Sequence, residues 1–215
     1  MYISVLVDST NSWFCEYAEK LVKAFLDEGH KVEYAHNSKD LVGGDICFLL
    51  SCVKLVRSSV LAKFKHNIVI HASDLPKGKG FTPVKWQILE GKNQIPITLF
   101  EAVEAMDAGD YYFKDAINLT GYELLDEIHS LLGKKVCEMA LRYVKEYNNW
   151  IPIKQEGEET IYKKRTIEDD ELDITKTIES QFNHFRIEDN ERFPLWFRIG
   201  NHKYILTISR WVDNQ

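Results

Sequence analysis

His71 closes the strand-like stretch 67–70 (NIVI), Ser73 follows two residues later, and Pro76, Gly78, Gly80 and Pro83 punctuate the loop after it. An imidazole titrates near neutral pH and suits proton transfer, and the carboxyl end of a strand is where open α/β sheets place ligands. Prolines fix φ and glycines reach conformations closed to other residues, so such a loop can hold a site rigid. Further on, the acidic turn MDAGD carries Asp107 and Asp110. A carboxylate beside an imidazole would orient its tautomer and raise its basicity. The chemistry these types suggest is general acid–base catalysis. Plainer readings stay open: a strand-end histidine satisfied by a backbone carbonyl, and a DxG turn with ordinary turn chemistry. Read as a phosphate nest, KGKG (77–80) is weak, because no nucleotide fingerprint accompanies it.

The elements that must position these residues follow from periodicity. Residues 2–7 (YISVLV) form a short β-branched strand ending in the cap-rich DSTNSW. Phe14, Ala18, Leu21, Val22 and Phe25 recur at helical spacing, predicting a helix over 13–29 that stops at Gly29. Strand alternation resumes over 30–37, and 45–51 is a continuous apolar run of buried-strand character. A weaker helix over 58–65 leads into the strand ending at His71. This alternation predicts an α/β fold, a doubly wound, Rossmann-like, mostly parallel sheet. Beyond the loop we expect a helix over 84–91, then strand, DAG turn and strand over 96–119. A long helix follows, with Thr120 as N-cap and Glu123 three residues later. Composition shifts near Asn148, so the chain divides into a core (1–148) and a charge-dense extension (149–215) that regains strand character over 203–212. The extension holds too little apolar surface to stand alone.

Composition narrows the function. The 215 residues carry a formal net charge of −6 and no long basic run, which disfavours a sequence-independent grip on nucleic acid. Cys15, Cys47, Cys52 and Cys137 form no CxxC pair, so neither structural zinc nor a disulfide framework is expected. Free thiols fit a reducing compartment. The N-terminus shows no basic n-region, and nowhere do 18 apolar residues run together. The expectation is a soluble cytoplasmic protein without membrane contact.

Taken in order, His71, Ser73, Leu75, Pro76, Gly80, Pro83, Trp86, Gly91, Thr98, Leu99, Asp107 and Gly109 resemble the signature of formyltransferases that use N10-formyltetrahydrofolate. The likeness is strong over about 40 residues and looser in the tail. There YKKRTIEDDELD and FRIEDNERFPLWF are similar to segments of the short nucleotide-sugar N-formyltransferases. The resemblance implies formyl transfer to the amine of a dTDP- or UDP-linked 4-amino-4,6-dideoxy sugar for surface glycan (O-antigen) biosynthesis. It implies His71 and Asp107 as catalytic residues, and a donor site including Ser73, Gly80, Pro83 and Asp110. Acceptor contacts would come from Trp13, Lys77, Lys79, Arg165, Arg186 and Asn190, with Lys163, Lys164, Arg192, Phe193 and Trp196 as further cations and rings. No metal is implied, and the extension would form a homodimer. The family's third catalytic residue, an asparagine two positions before the histidine, is Val69 here. Ser73, Asn67 or backbone N–H groups would then stand in for it. Two other readings remain: a degenerate fold that binds without turnover, and a formyltransferase for another amine. Methionyl-tRNA would want a positive surface. Glycinamide ribonucleotide would want a glycine-rich loop after the first strand, where this chain has VDSTNSW.

Overall fold

The computed structural model describes residues 1–211. Strand β1 (Tyr2–Leu6) is followed by α1 (Cys15–Asp27), β2 (Lys31–Ala35), β3 (Gly44–Leu49), α2 (Ser58–Leu61) and β4 (Phe64–His71). The site loop holds a two-residue strand β5 (Lys79–Gly80) and leads to α3 (Pro83–Leu89). The hairpin β6 (Gln94–Glu101) and β7 (Tyr111–Asn118) then precedes α4 (Leu125–Lys145). Six strands make the central sheet in the order β2-β1-β3-β4-β6-β7. Pairing is parallel from β2 to β4 and antiparallel from β4 to β7. The expected mostly parallel α/β sheet is present, and β4 lies at the switch from parallel to antiparallel pairing. Strand order reverses between β1 and β3, and it is there, outside the carboxyl ends of the strands, that an open sheet leaves a crevice.

One face of the sheet packs on α1 and α4. Ala18, Leu21 and Phe25 of α1, and Ile128, Leu132, Val136, Met139 and Tyr143 of α4, meet Ile3, Val5, Phe48 and Ile68 in the main core. The other face carries a smaller cluster around Leu6, Leu49 and Phe64, against which Val69 packs. Burial of these chains on both faces is the main stabilising term.

Boundaries moved where local capping chemistry competes with periodicity. The first helix begins at Cys15, because Trp13 leaves it to stack on His129 with ring centroids 4.1 Å apart. The second shrinks to Ser58–Leu61, and Phe64 already belongs to β4. Thr120 does not cap α4. Its N–H and hydroxyl both donate to Glu123 at 2.7 Å in a turn of their own, and the helix starts at Leu125 after Glu127 accepts the Leu124 N–H.

The remaining residues form β8 (Ile161–Tyr162), α5 (Phe182–Arg186), β9 (Leu195–Ile199) and β10 (His202–Leu206). β8 pairs in parallel with β5 of the site loop, and β9–β10 is an antiparallel hairpin over a small cluster of Leu172, Phe185 and Leu195. The predicted terminal strand covers 202–206, and residue 212 of the predicted stretch lies outside the described residues. All four cysteines are unpaired. No described helix is long and apolar enough to cross a membrane.

Candidate active site

His71 ends β4 opposite Thr98 of β6. The Thr98 hydroxyl donates to Ser73 O at 2.6 Å, and the Gln87 amide donates to Ala72 O at 2.7 Å, so the backbone leaving the strand is held from both sides. The loop then turns back on the histidine. His71 Nε2 lies 2.9 Å from Gly78 O. A carbonyl can only accept, so Nε2 carries a proton, and in the neutral ring Nδ1 is the nitrogen with the lone pair. The plainer reading, a strand-end histidine satisfied by a backbone carbonyl, is what this contact shows.

The loop is strapped by the tail. Gly78 N–H donates to Thr160 Oγ1 at 2.8 Å, Lys79 N–H to Thr160 O at 2.9 Å, and Phe81 N–H to Tyr162 O at 3.1 Å. Gly80 sits in the middle of this strap with φ +98°, and a Cβ there would meet Tyr162 O at 2.4 Å. Only glycine fits.

Residues 102–110 bring the second candidate back to the first. Asp107 Oδ2 accepts the Gly80 N–H at 2.8 Å and stands 3.9 Å from His71 Nε2. Both side chains are largely buried, 11% and 14% exposed. Asp107 adopts a left-handed backbone, φ +50°, which surrounding contacts must enforce. The Gln155 amide donates to Asp107 O at 3.0 Å and Gly109 O at 2.7 Å. A Cβ on Gly109 would fall 1.7 Å from Glu101 O, so the turn closes directly on β6. Asp110 is half-buried at its base, its carbonyl accepting the Glu101 N–H.

The other predicted residues are scattered. Val69 faces the smaller core cluster between Leu49 and Phe100 and brings no polar atom. Asn67 is committed elsewhere, its Nδ2 donating to Leu61 O at 3.0 Å. Ser73 Oγ is buried without a partner. Pro83 is the buried first residue of α3. Lys77 is exposed, while Lys79 is buried with its ammonium on Glu159 at 2.7 Å. The Arg165 guanidinium pairs with Asp170 and lies over Trp86, 5.4 Å from the ring centroid. Arg186 is a buried strut, 1% exposed, bonded to Asn93, Asn183 and Glu123.

Trp13 and Asn190 line a cavity of 880 Å³ between the β1–α1 loop, the start of α4 and the tail. His129 and Glu188 also line it. Burial, with Lys85 nearby, pushes His129 down to about 4. Burial raises Glu188 to about 7, against the Leu195 N–H and Lys85. Among the described residues, no group of three His, Cys, Asp or Glu side chains is placed to hold a metal. Sequence reasoning missed Gln155, Thr160, His129 and Glu188. Gln155 and Thr160 sit in a polar run whose composition gives no reason to single them out. Glu188 is one of several carboxylates in its stretch, and only packing distinguishes it.

Residues 18–137, more than half the chain and including both His71 and Asp107, match the sequence profile of the family described as formyl transferase. The chain belongs to the formyl transferase family. A methionyl-tRNA formyltransferase of Mycoplasma capricolum subsp. capricolum is 30% identical over 184 residues, covering 82% of this chain and 58% of that protein. The chain spans a little over half the length of such curated relatives. The solved methionyl-tRNA formyltransferase from Clostridium thermocellum superposes with a TM-score of 0.82 at 21% identity, over 100% of this chain and 95% of that one. A 4-N formyltransferase from Francisella tularensis superposes at 0.70 and 18% identity, over 96% of both chains. Both share the fold of this formyl transferase family member.

Proposed function

We propose that this protein transfers a formyl group from N10-formyltetrahydrofolate to the primary amine of a nucleotide-linked 4-amino-4,6-dideoxy sugar. The observation that carries the reading is the enclosed His71–Asp107 pair, 3.9 Å apart at the carboxyl end of β4, in a chain of the formyl transferase family. The residues present fit a polar donor. Ser73 Oγ, two residues from His71, and Gln155 Oε1, on the side chain that holds the Asp107 turn, are buried without partners, leaving one hydroxyl and one acceptor unsatisfied. N10-formyltetrahydrofolate would supply a formyl carbon already activated on nitrogen.

The chain's own groups supply the proton handling. His71 Nε2–H is anchored on Gly78 O, leaving Nδ1 to take the proton that the acceptor amine loses as it bonds the formyl carbon and to return it to the donor's N10 as the N10–formyl bond breaks. Asp107 is beyond hydrogen-bond distance of His71 and accepts the Gly80 N–H instead, which holds its carboxylate 3.9 Å from the ring. Because Val69 offers no amide, the Ser73 hydroxyl is the polar group left to meet charge developing on the formyl oxygen.

The 880 Å³ cavity that Trp13 and Asn190 line contains neither His71 nor Asp107, so it lends no weight to either acceptor. The net charge of −6 favours the sugar over a folded RNA. The exposed Ile199, Tyr204 and Ile205 of the β9–β10 hairpin support a homodimer through the tail. Methionyl-tRNA is the second reading, favoured by the curated relatives. Mass spectrometry after incubation with formyl donor decides between them. One formyl mass on a dTDP- or UDP-linked amino sugar supports the proposal. A formyl on methionyl-tRNA alone moves the acceptor to RNA, and none on either rejects formyl transfer to both.

A further inference from the structure

The tail contributes more to this site than a cover. A primary amide has two N–H donors, and Gln155 sends both into one turn: to Asp107 O at 3.0 Å and to Gly109 O at 2.7 Å. That turn holds Asp107 with φ +50° and aims its Oδ2 at the Gly80 N–H and toward His71. Left-handed backbone at a non-glycine residue persists only when neighbours over-determine it. Here they are the Gly80 N–H, the close approach of Gly109 to Glu101 O, and the Gln155 fork. Gln155 reaches the turn because Ile153 exchanges backbone hydrogen bonds with Tyr111 at 2.9 and 2.8 Å, which registers the tail against the start of β7. Its own Oε1 is buried and unpartnered. Both of its donors are committed to the carbonyls that flank the turn carrying Asp107.

We infer that Gln155 is a positioning residue for Asp107, so that the tail segment fixes the geometry on which His71 depends. The inference rests on the formyl-transfer reading for its kinetic arm only. Without the fork, the two carbonyls lose their shared donor and the turn relaxes toward ordinary backbone angles. The Asp107 carboxylate then leaves both Gly80 and His71. Misplacement of a catalytic group by about 1 Å costs on the order of 100-fold in rate.

The test compares the full-length protein with Gln155→Met, which keeps length and removes the donors, and with Gln155→Glu, which keeps shape and polarity. Three quantities are read: kcat and KM for donor and acceptor, the unfolding midpoint, and hydrogen exchange at the Gly80 amide. Positioning predicts that kcat falls about 10- to 100-fold while both KM values move less than about threefold. It also predicts that Gly80 N–H exchanges about tenfold faster or more, as its Asp107 acceptor departs. A lower midpoint with kcat and Gly80 exchange unchanged would make Gln155 a simple tail fastener and overturn the inference. A kcat loss with unchanged Gly80 exchange would also overturn it, since the effect would not run through Asp107. If Gln155→Met does not fold, Gln155→Glu carries the same comparison. Should the wild-type protein show no transfer at all, the functional reading falls separately, and Gly80 exchange still decides whether Gln155 holds Asp107.

Discussion

His71 Nε2 and Asp107 Oδ2 stand 3.9 Å apart, yet each makes its hydrogen bond to the backbone of the glycine loop, His71 to Gly78 and Asp107 to Gly80. The loop therefore acts as the spacer that sets their separation. His71→Asn would remove the proton acceptor and lower kcat about 100- to 10,000-fold with folding intact. Asp107→Asn keeps an acceptor for Gly80 but loses the charge, and a smaller loss of about 10- to 100-fold is expected. Steady-state kinetics on both variants, with thermal unfolding as control, checks the order. Near-full activity in His71→Asn would remove it from the mechanism.

Ser73 is the second kinetic test. Its hydroxyl is buried and unpartnered two residues from His71, while Val69 offers only methyl groups. Losing one donor to a developing oxyanion typically costs about 100- to 1000-fold. Ser73→Ala is expected to show a loss of that order, and Val69→Asn a change below about threefold. A large gain in Val69→Asn would mean that the wild-type site lacks this donor and that Ser73 does not supply it.

Gly80→Ala probes the strap between loop and tail. A methyl there would stand 2.4 Å from Tyr162 O, on a backbone at φ +98°. Strain and clash together should destabilise by about 1–3 kcal/mol, measured by denaturant titration. Activity should fall with it, because Gly80 N–H also holds Asp107. Wild-type stability in the variant would show that β8 does not press on the loop.

Glu188 gives the fold a pH signature. Burial raises its folded value from 4.5 to about 7, so the folded state holds this proton more tightly than the unfolded chain. The contribution is full below about 4.5 and is lost as pH rises through about 7. His129, lowered to about 4 by burial and Lys85, works in the opposite sense and loses stability as pH falls from 6.5. The difference between Glu188→Gln and wild type isolates the carboxyl. We expect the variant to be more stable at pH 8 by about 1–2 kcal/mol, discounted because the side chain borders an open cavity, and equal at pH 4.5. An equal gap at both values would show that Glu188 does not titrate in this range.

Much of this was legible in the chain itself. Period-2 and period-3.6 patterns over β1, α1, β3 and α4 are local consequences of which residues a sheet face or helix stripe must bury, so they announced an α/β sheet with few boundary errors. The stiffness of the glycine–proline loop was also readable, because backbone constraint leaves its mark in residue type, and His71 and Asp107 stood out as candidates beside it. Those residue types fixed the family likeness and the candidate chemistry. Only the tertiary structure decided which groups meet. It paired His71 with Gly78 and gave Asp107 to Gly80. It set Arg186 to bracing Glu123, and it drew Gln155 and Thr160 from an unremarkable polar run to close the site. Such contacts join residues up to 82 positions apart, and they depend on where the sheet and tail place each backbone, which no local pattern encodes.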